Sequence, residues 1–259
     1  MSSCARLDSF VAILQDPIAE SAFLENDQAK EIAYMVDNAY RFERVLDLIP
    51  RVERPFQLLD IGPTPFTLLL KRLFPHYDIG ALDRTPHLAA RFRAAGIELR
   101  TWDLDNERPP YDEASFDLVL FTEVLEHVFA PPSEVLNGIR RIMRPGGRLI
   151  LSVPNFAALH KRIRLLLGQS PLPHPDEQMK KGWIHGHGHL HEYTMAEIVS
   201  IVERVGFRVA SRRHLRPRAL HTLRRDSRPL PSRLVRATYH AAQGLWPSFG
   251  TEMMLECVN

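Results

Sequence analysis

From Leu7 to Ile49 the apolar positions recur at intervals of three and four: Ile32, Met35, Val36 and Ala39, then Phe42, Val45, Leu46 and Ile49, with polar residues opposite. That period predicts helices with one buried face. Pro50 and Pro55 bracket a linker, and beyond it short apolar runs bounded by Gly, Pro or Asp alternate with helical stretches. Strands are predicted at Phe56–Ile61, Ile79–Asp83, Glu98–Trp102, Phe116–Phe121 and Arg148–Val153, and helices at Pro65–Leu73, Pro86–Ala95 and Ser133–Ile142, each opening on a Pro or Ser that suits a first turn. Such alternation predicts a parallel sheet with helices on its faces. Residues 156–192, rich in Pro and His, interrupt the pattern as an excursion above the sheet. Helix Met195–Val205 stops at Gly206, and Phe207–His214 and Glu252–Val258 supply two more strands.

Composition is that of an ordinary globular protein: 259 residues, 45% hydrophobic, 25% charged and 8% aromatic. The formal net charge of +2 hides an asymmetry. Between Arg208 and Arg236 stand ten arginines and one acid, Asp226, while the remainder carries 23 basic and 30 acidic residues. Cys4 and Cys257 offer neither a disulfide framework nor paired zinc-ligand spacing. No basic-then-apolar leader precedes Ile18, and no run approaches the ~18 apolar residues of a membrane span. A cytoplasmic protein with no transmembrane segment is expected, and any membrane contact would be peripheral; oligomeric state is not legible.

Three predicted strands end in acids. Leu58-Leu59-Asp60-Ile61-Gly62 leads into a tight turn and a helix, where doubly wound sheets bind cofactors. Asp83 follows 23 residues after Asp60 at the next strand end, placed to accept hydrogen bonds from ribose hydroxyls. Asp103-Leu104-Asp105 follows the third strand, at the height of an adenine edge. Beyond the fourth strand, Glu123, Glu126 and His127 stand at i, i+3 and i+4, so that one helical turn would present all three on one side. Two carboxylates and an imidazole can do acid–base work or hold a divalent cation. Further on, His185, His187, His189 and His191 alternate before Glu192-Tyr193-Thr194.

Taken in order, Leu59-Asp60-Ile61-Gly62, Ala81-Leu82-Asp83, Trp102-Asp103-Leu104, Phe116-Asp117-Leu118-Val119, Glu123-Val124-Leu125-Glu126-His127 and Arg144-Pro145-Gly146-Gly147 resemble the class I S-adenosylmethionine-dependent methyltransferases over about residues 56–210. The resemblance implies a Rossmann-like, doubly wound α/β fold with a mostly parallel seven-stranded sheet. Residues 1–55 would form an N-terminal helical cap and 56–259 the methyltransferase domain, with 155–193 a lid or substrate excursion and 212–250 a basic inter-strand insertion. It also implies S-adenosylmethionine as cofactor, with Asp60 near its methionine end, Asp83 on the ribose and Asp103 on the adenine amino group. Gly62, Pro63, Thr64, Arg84, Leu104 and Thr122 complete the expected cofactor set. The loop departs from the family's glycine-rich pattern: Thr64 and Phe66 stand where glycines are usual, and the Thr64 hydroxyl is a candidate replacement contact.

Glu-x-x-Glu-His followed by His-x-x-Glu-aromatic-Thr is similar to the metal-dependent O-methyltransferases that modify the terminal ribose of small RNAs; the ubiquinone-pathway enzymes share the first part. That resemblance implies Glu123, Glu126, His127 and His189 as ligands of Mg²⁺, Mn²⁺, Fe²⁺ or Zn²⁺, with His187 the alternative fourth. Without a metal, His127 is the candidate general base and Glu123 or Glu126 orients it. The expected reaction is O-methylation of a small molecule or glycan, a sugar, glycoside or other polyol first, anionic or lipid-linked acceptors included. The alternatives are 2′-O-methylation of RNA and a non-catalytic cofactor- or RNA-binding module. The arginine-rich stretch reads as a solubilising loop or as a patch for RNA, anionic lipid or a phosphorylated acceptor; RNA is the weaker partner because only Tyr239, Trp246 and Phe249 offer stacking nearby. Leu159–Leu167, with Lys161, Arg162 and Arg164 interleaved, is either a core stripe or an amphipathic lid. Tyr34, Tyr40 and Arg41 are expected to cap the cofactor site.

Overall fold

The computed structural model describes residues 34–86, 88–172, 174, 176, 188–216, 237–238, 241–242 and 244–259. The predicted helical positions from Leu7 to Ile32, His185 and His187, and the arginines from Arg218 to Arg236 lie outside them. In chain order the elements are α1 (Ala39–Leu48), β1 (Phe56–Ile61), α2 (Pro65–Leu73), β2 (Tyr77–Asp83), α3 (Ala89–Ala94), β3 (Glu98–Thr101) and β4 (Phe116–Thr122). A 3-10 turn (Leu125–His127) then leads to α4 (Pro132–Ile142), β5 (Met143–Pro154), α5 (Leu159–Leu166), α6 (Met195–Val205), β6 (Arg208–Leu215), a second 3-10 turn (Pro247–Phe249) and β7 (Glu252–Val258).

The seven strands form one sheet of order β3-β2-β1-β4-β5-β7-β6. The first five run parallel, and β7 is antiparallel to both β5 and β6. Central strands covered on both faces read as continuous apolar runs, and alternate residues serve opposite layers. Leu58, Leu118, Leu120 and Ile150 join one buried cluster with Phe42 and Val45 of α1 and Phe66 of α2. Leu59, Val119, Phe121, Leu149 and Leu151 join another with Ile139 of α4 and Ile198 and Val202 of α6. The described N-terminal helix thus packs into the same core as the sheet.

Local chemistry sets the boundaries. Thr64 caps α2, with Pro65 at its first position and Thr67 closing the capping box; Thr194 and Glu197 do the same for α6, which ends on left-handed Gly206. β3 stops one residue short of the predicted Trp102, whose N–H instead bonds Asp83 O at 2.9 Å and whose ring is buried. β5 begins earlier than predicted, at Met143, because Met143 pairs with Phe116 before a register shift lets Arg148 pair with Leu118. Among the described residues no helix is long and apolar enough to cross a membrane.

Candidate active site

The strand order reverses between β1 and β4, and doubly wound sheets open a crevice at the carboxyl ends of the strands there. Asp60, near the end of β1, is buried, and its Oδ2 accepts from Thr67 Oγ1 at 2.6 Å. Burial, reinforced by the charge of Asp83, pushes its carboxyl up to about 7 against the Thr67 bond. Gly62 has φ +74°, and a Cβ there would lie 2.4 Å from Val124 Cγ2, so glycine is required by both conformation and contact. Thr64 Oγ1 accepts from Phe66 N at 3.2 Å, which places this side chain in the helix cap, next to Pro63. Asp83 ends β2 and accepts from Thr85 N at 3.2 Å, with Arg84 exposed beside it. Asp103 accepts from the Asn106 side chain at 2.8 Å and from Asp105 N at 3.2 Å, bonds that hold its carboxyl below the usual range. Leu104 is half-buried after it, and Thr122 ends β4 opposite Ser152. Asp105, which no motif singles out for this role, accepts from Phe129 N at 2.6 Å and Ala130 N at 2.9 Å, tying the loop after β3 to the loop after β4.

The second group of predicted residues is arranged differently from the expected single helical turn. Glu123 precedes the 3-10 turn in a left-handed conformation, φ +56°. Its carboxylate accepts from Ser152 Oγ at 2.9 Å and pairs with Arg41 Nη1 at 3.4 Å. Glu126, His127 and His189 come together instead: each offers a ligand atom, all within 4.8 Å of one another. His127 Nδ1 lies 3.0 Å from Gly188 O, and His189 Nδ1 lies 3.0 Å from Glu192 Oε1. Both partners accept, so each imidazole carries a proton on Nδ1. Glu126 is 1% exposed, and neither of its carboxylate oxygens has a hydrogen-bond partner among the described residues. The segment bearing His189 is stitched down by Leu190 N to Glu126 O at 2.7 Å, and Phe156 N bonds Tyr193 O at 2.8 Å.

Residues outside the motifs complete this chamber. Arg41 of α1, almost fully buried, pairs with Glu123 and, at 3.5 Å, with Glu252 of β7; Tyr40 OH also donates to Glu252. The N-terminal aromatic and arginine residues therefore meet the far strand and Glu123. Lys161 points inward from α5 and pairs with Glu192, whose other oxygen holds His189. Four carboxylates (Glu123, Glu126, Glu192, Glu252) thus face two cations. Burial, then the charge of Glu252, raises Glu123 to about 7 against Arg41; burial and the charge of Glu123 raise Glu126 well above the usual range. Burial, with the charges of His127 and Lys161, lowers His189 to about 4, so this imidazole is neutral near pH 7. A buried carboxylate surplus is costly unless protons or a bound cation offset it.

A cavity of about 400 Å³ beside Arg93 and Glu98 lies at the opposite, amino end of the strands and carries none of this chemistry.

Sequence and structure comparisons converge. A family described as a methyltransferase domain matches residues 35–212. Trans-aconitate 2-methyltransferase from Mycobacterium sp. (strain KMS) is 29% identical over 145 residues, covering 54% of this chain and 56% of the relative. The chain thus spans about half the length of the curated relatives it matches. Among solved structures, an S-adenosylmethionine-dependent methyltransferase from Mesorhizobium loti superposes with TM-score 0.59 at 16% identity, covering 86% of this chain and all of that one. Phosphoethanolamine N-methyltransferase 2 from Haemonchus contortus, solved with S-adenosyl-L-methionine, gives TM-score 0.55 at 14% identity over 85% of this chain and 52% of that one. At these identities the structural likeness shows the fold.

Proposed function

The chain belongs to the methyltransferase-domain family, and from that premise we propose that it is a class I S-adenosylmethionine-dependent methyltransferase acting on a hydroxyl oxygen of a small acceptor, beside a divalent cation held by Glu126, His127 and His189. Sugars and other vicinal diols come first among acceptors, because two neighbouring hydroxyls chelate a cation. The observation that carries the reading is the Glu126 carboxylate, buried, with no hydrogen-bond partner for either oxygen among the described residues, and within 4.8 Å of two imidazole nitrogens. An oxygen and two nitrogen donors suit Mg²⁺, Mn²⁺, Fe²⁺ or Zn²⁺.

On the cofactor side the residues fit a positively charged ligand. Burial and the charge of Asp83 raise the cost of ionising Asp60, and a sulfonium and ammonium group nearby would offset it. Asp83 then holds the ribose and Asp103 the adenine edge. S-adenosylmethionine supplies an electrophilic methyl group; the protein supplies alignment and a proton acceptor. Glu126, His127 and His189 would hold the cation, and Glu123 is the group that would take the acceptor proton. Its carboxyl, raised to about 7, is matched to taking a proton near neutral pH. Arg41 and Ser152 hold Glu123 in position.

A second reading, methylation of a carboxylate, is favoured by the trans-aconitate relatives. Glu126, Glu192 and Glu252, all buried, with half-buried Glu123 beside them, form a carboxylate-rich lining that disfavours a polycarboxylate acceptor. Titration calorimetry on the purified protein tests the whole proposal: S-adenosylmethionine binds, and its failure to bind overturns the enzyme reading in favour of a non-catalytic module. Mn²⁺ binds the wild type, and Glu126→Gln abolishes that binding while retaining the cofactor. Methyl transfer to a panel of polyols, catechols, a short RNA and trans-aconitate identifies the acceptor class. Trans-aconitate as the sole acceptor would replace the first reading by the second.

A further inference from the structure

Helix α5 has two unlike sides. Lys161 points into the chamber and pairs with Glu192, while Ile163, Leu165, Leu166 and Leu167 all stand exposed, Leu166 at 86% and Leu167 at 67%. Ile163, Leu166 and Leu167 lie on the side away from Lys161 by helical spacing. A soluble surface rarely presents four neighbouring large aliphatic side chains without a partner for them.

The aliphatic ridge continues into an aromatic and cationic patch. Arg162 sits 5.1 Å above the Phe249 ring, which packs 5.8 Å from Trp246, itself 58% exposed next to exposed Leu245. The charges of Arg162 and Arg212 both act on His214 of β6, which puts the edge strand beside the same ring. Arg216 lies against Gly244, its Nη1 3.2 Å from where a Cβ would stand. The sequence stretches 155–175, 207–216 and 237–251, whose described residues supply this face, contain no Asp or Glu. Glu192 is taken up by Lys161 on the inner side of α5, and Glu123 by Ser152 and Arg41.

We propose that this face, α5 with Leu245, Trp246 and the arginines Arg162, Arg164, Arg212 and Arg216, docks on an anionic lipid bilayer, with the aliphatic and indole side chains in the headgroup boundary and the guanidinium groups on lipid phosphates. Aliphatic side chains with Trp at one margin and Arg around them match an acyl–headgroup boundary. Nucleic acid offers stacking and phosphates but no apolar layer for four Leu and Ile side chains. Because Lys161 anchors the inner side of the same helix, the docked face lies one helix diameter from the chamber. An acceptor resident in the membrane surface would meet the site there. The docking does not depend on the reaction proposed above, and its test uses the protein without cofactor or acceptor.

The probe is vesicle co-sedimentation of the full chain, with phosphatidylcholine vesicles compared with mixed phosphatidylcholine–phosphatidylglycerol vesicles. Binding is expected to the anionic vesicles, with the partition coefficient reduced by about tenfold or more in the Leu166→Asp/Leu167→Asp double variant and in Trp246→Ala. These side chains are exposed, so folding is unaffected, and unchanged circular dichroism and melting temperature verify it. Absence of binding to anionic vesicles overturns the proposal. So does binding that the variants leave intact, which would move it to the basic segment after Arg216. Concentration-dependent self-association abolished by the Asp substitutions would assign the face to a second copy of the chain instead. Single-stranded RNA binding lost in Trp246→Ala, without vesicle binding, would assign it to RNA.

Discussion

The two halves of the proposed site are built on opposite principles. On the cofactor side each acid is served by neighbours in sequence: Asp60 by Thr67, Asp83 by Thr85, Asp103 by Asp105 and Asn106. On the proposed acceptor side the charges that are paired are answered from far along the chain: Glu123 by Arg41 and Ser152, Arg41 by Glu252, which also takes the Tyr40 hydroxyl, and Lys161 by Glu192. The local half can form once a strand end and its turn are in place. The remote half exists only when the N-terminal helix, β4, β5, α5, the returning excursion and β7 have all docked, so its energetics are coupled to the whole fold.

The sharpest way to break that contrast is Arg41→Ala. Removing the guanidinium leaves buried Glu252 and half-buried Glu123 with the hydrogen bonds of Tyr40 and Ser152 as their remaining contacts among the described residues. Loss of one side of a buried ion pair costs about 3–5 kcal/mol. Chemical denaturation should show that loss, and it should shrink as pH falls through about 7 and Glu123 takes a proton. A loss below ~1 kcal/mol would show that the remote half is not coupled to the fold.

The next test concerns Asp60. Its carboxyl is raised in the folded protein from 3.8 to about 7, so the folded state holds this proton more tightly than the unfolded chain does. The associated stability is complete below about pH 3.8 and is lost as pH rises through about 7. Melting curves of the protein without cofactor should therefore fall across that window on account of Asp60, by on the order of 4 kcal/mol. Asp60→Asn keeps an acceptor for Thr67 and should flatten that part of the fall; an unchanged profile would remove Asp60 as its source. Gly62→Ala comes third, at about 1–3 kcal/mol, because it combines φ +74° with a methyl 2.4 Å from Val124 Cγ2. Its midpoint should move while Val124→Ala/Gly62→Ala recovers part of the loss.

The same contrast explains what could be read from the chain. The boundaries of β1, β7, α2 and α6 follow from period, Pro65, Thr64, Thr194 and Gly206, all local signals. The acids at the strand ends are legible for the same reason: an acid closing an apolar run names its own position in the sheet. Glu123, Glu126 and His127 are legible as a spacing, but the left-handed turn at Glu123 separates it from the other two, and no residue there is a glycine that would announce it. Arg41, Glu252, Lys161 and Glu192 have no motif of their own. They matter because the sheet order brings β7 beside β5, and sheet order is a property of long-range pairing that periodicity does not carry.

Thr64→Ala is the smallest effect and the most discriminating for the local half. The family resemblance places a glycine at this position and makes the threonine hydroxyl a candidate cofactor contact. In the structure the same oxygen accepts from Phe66 N at 3.2 Å, and Thr64 N donates to Thr67 Oγ1 at 3.2 Å, so one residue starts α2 and orients the Thr67 hydroxyl that bonds Asp60. If capping is its whole contribution, removing the hydroxyl costs about 1 kcal/mol of stability, and S-adenosylmethionine affinity, measured well below the melting transition, stays within about threefold of wild type. A drop in affinity of about tenfold at unchanged Thr67–Asp60 geometry would instead make Thr64 a direct ligand contact. The serine variant decides between the two, because Thr64→Ser restores the cap oxygen and any ligand hydrogen bond alike: it should recover stability in either case, and affinity only if affinity was lost.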